Sequence, residues 1–260
     1  MLIANNSTRL IIILVGAYLF IINLYSLTLI FFLSTLVSTF LGKLLLPFQT
    51  VAIDKSLERK FFKFNIWIWL SMCISAIPFD NYFLLKIAGP LQTGLYAAPF
   101  KLLSFAYQLG GNFTTVLASR YSSFDNDEKA KAFSIKAITF PSFFSLAFLL
   151  LILFPNLLIS LIFGKAYVEA VQILRILSLG SIFFFLSTIP SSIILYYFSK
   201  SNISFIITLV RYIAFAILLI MLIPSQKSIG AAYAFTATEG MAFIMMVFYV
   251  LLKFQKKHAN

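Results

Sequence analysis

The chain has 260 residues, 61% of them hydrophobic and 11% charged, with a mean hydropathy of +0.99. Soluble domains carry about 25% charge, so a soluble enzyme or binding module is excluded and an all-α polytopic membrane protein is expected. The 20 Lys and Arg outnumber the 8 Asp and Glu, but the cations sit mainly between apolar runs, as the positive-inside rule requires, so no nucleic-acid partner is expected.

A membrane-spanning helix needs about 20 mostly apolar residues, and eight such segments can be placed in chain order. Residues 1–48 read as an N-terminal transmembrane hairpin, with spans near Leu10 to Asn23 and Ser26 to Leu46 separated at Asn23-Leu-Tyr-Ser26. No cleavable signal peptide is expected, because a single Arg9 precedes an apolar run much longer than a signal core. Residues 49–63 read as a basic cytoplasmic loop containing Lys55, Arg59, Lys60 and Lys63.

Residues 64–252 then form a six-helix lobe. Its first two segments, Phe64 to Ala88 and Leu91 to Ala118, flank a tight turn at Gly89-Pro90. A polar loop from Ser119 to Lys131 leads to the segment Ala132 to Phe154, in which Pro141 is expected to produce a kink. Pro155 to Tyr167 reads as a short extramembrane link, and Val168 to Tyr197 as the next span, interrupted by Pro190. The last two segments, Ile203 to Ile223 and Ile229 to Leu252, flank a turn at Pro224 to Ser228, and residues 253–260 form a basic cytoplasmic tail.

With the N-terminus in the cytoplasm, Arg9, the four cations of the first basic loop, Arg120, Lys129, Lys131, Lys136, Lys200, Lys253, Lys256 and Lys257 all lie inside. Only Lys165 and Lys227 lie outside. This bias of thirteen to two places both termini in the cytoplasm.

Six charges fall inside the apolar segments: Asp80, Lys86, Lys101, Arg175, Arg211 and Glu239. At about 2.5–3.5 kcal/mol each, six lipid-facing charges would cost roughly 15–20 kcal/mol, more than the usual stability margin of a fold. They are therefore expected to face an aqueous cavity, to pair with one another or to snorkel. Lys43 and Lys86 lie near helix ends, where snorkelling serves. Lys101 and Arg211 are deep in their segments; a cavity role and structural pairing with Glu239 or Asp80 are both open for them. Gln108, Asn112, Thr114 and Thr115 recur near one helical face, suited to lining a polar path or to bonding between helices.

The 31 Phe residues are expected to serve packing and lipid contact, and the lone Cys73 to be a packing residue. One cysteine and one histidine, His258, leave no disulfide or Cys/His metal cluster to form, and no metal or cofactor is expected. No phosphate-binding loop, nucleophile elbow or H-E-x-x-H motif occurs, so the chain is expected not to be an enzyme.

Three stretches in order carry a resemblance. They are Asp80 with Leu84-Leu85, Gly89 and Gly94-x-Tyr96-x-Ala98-x-x-Lys101; Leu161-Ile-Phe163-Gly164-x-x-Tyr167-x-x-Ala170 followed by Leu174-x-Ile176-Leu177; and Ile229-Gly230-Ala231-Ala232. Together they resemble the polysaccharide flippases of the multidrug/oligosaccharidyl-lipid/polysaccharide exporter superfamily, of the O-antigen translocase type. The resemblance covers about Phe64 to Leu252 as the second of that family's two six-helix lobes, with the first two segments corresponding to the end of the first lobe.

The resemblance implies a bacterial inner-membrane protein that flips undecaprenyl-diphosphate-linked O-antigen or related repeat units by alternating access. A diphosphate crossing the bilayer needs cations in a water-filled cavity, and Lys101, Arg211 and Arg175 are the residues available. Asp80 and Glu239 are the positions for binding a coupling proton or Na⁺. The partners implied are the lipid-linked oligosaccharide diphosphate, membrane lipids, and the first-lobe helices or polysaccharide-assembly proteins. The alternatives are a cation-coupled multidrug exporter of the same superfamily, whose cationic substrates would favour carboxylates, and a truncated fragment or assembly partner that does not transport. A membrane-embedded sugar transferase would need reactive groups on outer loops, where only Lys165, Lys227 and Glu169 fall.

Overall fold

A computed structural model describes residues 54–164 and 167–258, together with isolated helical positions between 29 and 40. The expected N-terminal hairpin, Lys43 and Lys165 lie outside the described residues. The chain divides into two compact units, Met1–Lys55 and Ser56–Asn260, and the second holds every segment discussed below.

The described structure is all-helical, 91% helix, with no strand among the described residues. Its helices are α1 (Lys55–Ser75), α2 (Phe79–Ile87), α3 (Gly89–Tyr121), α4 (Asp127–Ala137), α5 (Thr139–Leu153), α6 (Pro155–Ile162) and α7 (Ala170–Ser192), which ends in a π-turn, Ile193–Tyr197. A last stretch, Ser201–His258, is helical apart from Lys227, whose φ of 51° and ψ of −129° divide it into α8 (201–226) and α9 (228–258). Among the described residues four helical stretches are long and apolar enough to cross a membrane: Lys55–Ile87, Asp127–Leu153, Ala170–Tyr197 and Ser201–Gln255. The polar side chains of α3, from Gln92 to Thr115, keep that helix off this count.

Each break has a local cause. Pro78 has no N–H and forces Ile77 out of the helical region, so the single expected segment Phe64 to Ala88 is two helices, α1 and α2, parted at 76–78. Gly89 takes φ 84°, left-handed backbone that a side chain disfavours, and lets α3 fold back from α2. At the far hairpin, a Cβ on Gly230 would lie 2.6 Å from the Leu222 carbonyl oxygen, so only glycine permits α8 and α9 to approach there. Straight, the 58 residues of Ser201–His258 would run roughly 87 Å, far beyond a bilayer core of about 30 Å.

Three expectations need correcting. The stretch read as a basic loop is helical from Lys55 onward, because Leu57, Phe61 and Phe64 continue the helical apolar spacing through good helix-forming charged residues. The polar loop from Ser119 to Lys131 shrinks to 122–126: the Asn126 side chain accepts a hydrogen bond from the Glu128 N–H at 2.8 Å, and Asp127 and Glu128 favour the positive end of α4. The expected kink in the segment Ala132 to Phe154 is present: the helix is interrupted at Ile138, three residues before Pro141, which has no N–H to give the Ala137 carbonyl and so divides the segment into α4 and α5. Cys73 is exposed rather than packed, on a helix with no buried residue.

Two apolar clusters hold the unit together. The larger contains Leu84, Tyr96, Leu174, Phe185, Leu219 and Phe235. The second, with Leu117, Tyr121, Ile194, Ile207, Val250 and Phe254, gathers the end where α3, the π-turn and α9 finish and α8 begins. Several phenylalanines serve as packing surface: Phe185 is fully buried, stacks on Phe144 at 4.7 Å and meets Phe148 at 5.4 Å. Because lipid is as apolar as the core, such contacts stabilise through packing density more than through removal from water.

Candidate functional site

The break between α1 and α2 opens a cavity of about 220 Å³ lined by Ser75, Pro78, Asp80, Asn81, Arg211 and Glu239 among others. Its lining joins the buried Asp80 and Glu239 to the exposed Ser75 and Pro78, so it opens to the surface of the unit. Arg211 is several turns into α8, and Glu239 several turns into α9, on the opposite arm of the hairpin that turns at Lys227.

Pro78 starts α2 and puts Asp80 in its first turn, where the positive end of the helix favours a carboxylate. Asp80 is 7% exposed. Its Oδ1 accepts from the Asn81 N–H at 2.8 Å, and its Oδ2 accepts from the Tyr96 hydroxyl at 2.9 Å, across the Gly89 turn. No cation lies within ion-pair distance of it among the described residues. Next to it, Asn81 Oδ1 is buried and lacks a hydrogen-bond partner among the described residues, and both residues line the cavity.

Arg211 donates from Nη1 to Glu239 Oε1, forming an ion pair. The Glu239 side chain is 6% exposed and that of Arg211 is 20% exposed, so the guanidinium keeps access to the cavity. It also lies over the Tyr212 ring, 4.6 Å from the centroid. The walls behind the pair are fixed by close packing of α7 on α9. A Cβ on Gly180 would lie 2.7 Å from Phe235, and Thr236 donates to the Ile176 carbonyl at 2.8 Å.

Of the five residues singled out in the sequence, the fold thus brings together Asp80, Arg211 and Glu239. It does not bring Lys101 or Arg175 to them. Lys101 is exposed and borders a separate surface depression with Ala98, Leu102, Phe105 and Phe163. Arg175 is exposed and its Nε donates to the Ile152 carbonyl at 3.1 Å, capping the last turn of α5. The expectation of one cavity shared by Lys101 and Arg211 is therefore replaced by an Arg211–Glu239 pair beside Asp80. Lys86, in the last turn of α2, is exposed. Thr114 and Thr115 donate to the Gly111 carbonyl of their own helix, which suits neither a bond between helices nor a polar wall.

Sequence reasoning gave Tyr96 no role beyond its place in the motif and passed over Asn81 and the part-buried hydroxyl pair Tyr107–Ser181, joined at 2.7 Å. Tyr96 was legible in principle, since Asp80 and Tyr96 stand at comparable distances on either side of the Gly89 turn, which makes them neighbours in a helical hairpin. Asp80, Leu84, Gly89 and Tyr96, drawn from one motif, form one unit in which Leu84 and Tyr96 are fully buried.

No family model, curated protein or solved structure matches this chain.

The charge around the cavity is one guanidinium against two carboxylates. Ionised, this set attracts a cation and repels a phosphate. A proton or monovalent cation held by Glu239 would free the Arg211 fork, whose paired donors match a phosphate oxygen pair.

Proposed function

We propose that this chain is a lobe of a membrane transporter of the lipid-linked oligosaccharide flippase type, with eight membrane crossings and both termini in the cytoplasm of a bacterial inner membrane. The observation that carries the transport reading is the cavity at a broken helix, bordered by Asp80, Arg211 and Glu239. Charged groups several turns along apolar membrane helices, as Arg211 and Glu239 are, are costly, and transporters characteristically place their sites at discontinuous helices near the midplane. The substrate class, an undecaprenyl-diphosphate-linked repeat unit, rests on the motif resemblance.

In this reading Arg211 alternates between Glu239 and a substrate phosphate. Binding of the coupling ion to Glu239 or Asp80 lowers the negative charge of the cavity, so that the diphosphate is admitted only to the ion-loaded state. Rocking of the lobe against a first-lobe partner then exposes the headgroup to the other leaflet.

The excess of carboxylates over cations in the cavity favours a second reading, a cation-coupled exporter of cationic drugs in the same superfamily. Expression in two hosts separates them. Restored O-antigen display in a strain lacking its flippase supports the first reading. Raised resistance to cationic dyes in an exporter-deficient strain, without restored display, supports the second.

A further inference from the structure

A second, larger cavity lies away from Asp80 and Arg211. It has a volume of about 920 Å³ and separates the N-terminal half of α1 from the connection between the π-turn and α8. Its lining includes Lys60 and Lys63 from α1, Lys200 and Asn202 at the start of α8, and the apolar side chains Phe64, Trp67 and Leu195. None of its lining residues is acidic among the described residues.

α1 has no buried residue along its whole length. It therefore stands off the bundle at this end, and a contact between Trp67 and Phe205, with ring centroids 5.1 Å apart, closes the bottom of the gap. The three ammonium groups belong to the end of the molecule where the second apolar cluster collects the ends of α3, the π-turn and α9. An open gap of this size between helices is filled in a membrane, because protein and lipid close-pack. Its occupant must carry negative charge at the lysine end and a hydrocarbon body along Phe64, Leu195 and Trp67. The N-terminus of α8, with its unpaired amides and partial positive charge, adds to the attraction for an anion there.

We propose that this cavity is a binding site for one anionic phospholipid, which wedges between α1 and α8 and fixes the standing of α1 against the bundle. The phosphate and a second headgroup oxygen meet Lys60, Lys63 and Lys200. One acyl chain runs over Phe64 and Leu195 toward Trp67. Such a lipid acts as a removable filler for a helix that bounds the transport cavity at its other end, since Ser75 closes α1 beside Asp80. The site stands whichever substrate the transporter carries.

The chain has two tryptophans, Trp67 and Trp69, and Trp69 does not line the cavity. Trp69→Phe leaves Trp67 as the sole reporter. The full chain carrying this change, purified in neutral detergent, is titrated with phosphatidylglycerol brominated on its acyl chains, and quenching of Trp67 emission is followed. Saturable quenching by phosphatidylglycerol is expected, with brominated phosphatidylcholine needing much higher concentrations. Changing Lys60, Lys63 and Lys200 to Gln together should raise the half-saturating concentration about a hundredfold, at about fivefold per cation. Changing all three to Arg should preserve binding and exclude misfolding as the cause.

The comparison variant changes Arg120, Lys129 and Lys136 to Gln, removing equal charge from a different depression, and should shift the half-saturation less than threefold. Equal quenching by the two lipids, or an equal shift from the comparison variant, overturns the site. Reversal of the quench by millimolar inorganic phosphate overturns the lipid assignment, because a headgroup held with its acyl chain is not displaced by a free anion.

Discussion

Replacing Arg211 by Met keeps the aliphatic bulk of the side chain and removes the cation that pairs with Glu239. A carboxylate only 6% exposed is then left in the bundle without its partner. Loss of one member of a buried ion pair costs about 3–5 kcal/mol, and water reaching the pair through the cavity puts the expectation at the lower end, about 3 kcal/mol. For a chain of this size each kcal/mol moves the melting temperature by about 2–4 °C, so a fall of roughly 6–12 °C follows. Glu239→Gln removes the ion pair but keeps an oxygen that can accept from Arg211, which stays open to the cavity, and about 1–2 kcal/mol is expected, at or below the lower end of the range of about 1.5–3 kcal/mol for full loss of a hydrogen bond to a charged group. The double variant has no isolated charge, only a neutral amide at position 239, so its loss should fall short of the two single losses added together by about 2 kcal/mol. Thermal unfolding of the purified protein in detergent measures all four members of the cycle. Additivity within about 0.5 kcal/mol would show that the two side chains do not depend on each other, and the account of the cavity as a paired site would fall. Transport should be lost in the double variant even where stability recovers.

Asp80→Asn keeps one oxygen to accept from the Asn81 N–H and places an NH2 where Oδ2 stood, able to donate to the Tyr96 hydroxyl oxygen, so membrane insertion should hold while transport falls at least tenfold; normal O-antigen display or drug resistance at equal expression would make Asp80 structural. Tyr96→Phe removes one hydrogen bond to a carboxylate and should cost about 1.5–3 kcal/mol in thermal unfolding, with no loss meaning that the bond at 2.9 Å does not persist in solution. Gly180→Ala forces a Cβ to within 2.7 Å of the Phe235 ring and should destabilise by about 1–3 kcal/mol. Gly94→Ala, where nothing lies within 4 Å, should be neutral or stabilising by up to about 1 kcal/mol, and the reverse order of the two would refute the packing of α7 on α9. Reporter fusions after Lys60, Lys129, Lys200 and Lys257 should report cytoplasm and one after Lys227 periplasm, whereas a periplasmic signal at Lys60 or Lys129 would overturn the crossing count.

The membrane character, the helical class, the turn at Gly89 and a break within the expected 224–228 turn, which the fold confines to Lys227, were legible in the sequence alone. Composition controls transfer into lipid residue by residue, and glycine and proline act on the backbone within a residue or two. The sequence also marked Asp80, Arg211 and Glu239, since a charge in an apolar run is visible wherever it packs. It misjudged the helix beginnings at Lys55 and Asp127, because charged residues that favour loops by polarity also favour first helical turns by propensity and dipole. Only the tertiary structure decided which charges meet. Arg211 and Glu239 face each other through the register of a hairpin, and Asp80 reaches Tyr96 across another. Lys101, equally deep in its segment, turns outward. A one-residue change in position rotates a helical side chain by about 100°, so depth in a segment follows from counting, while direction depends on the surface that the helix buries.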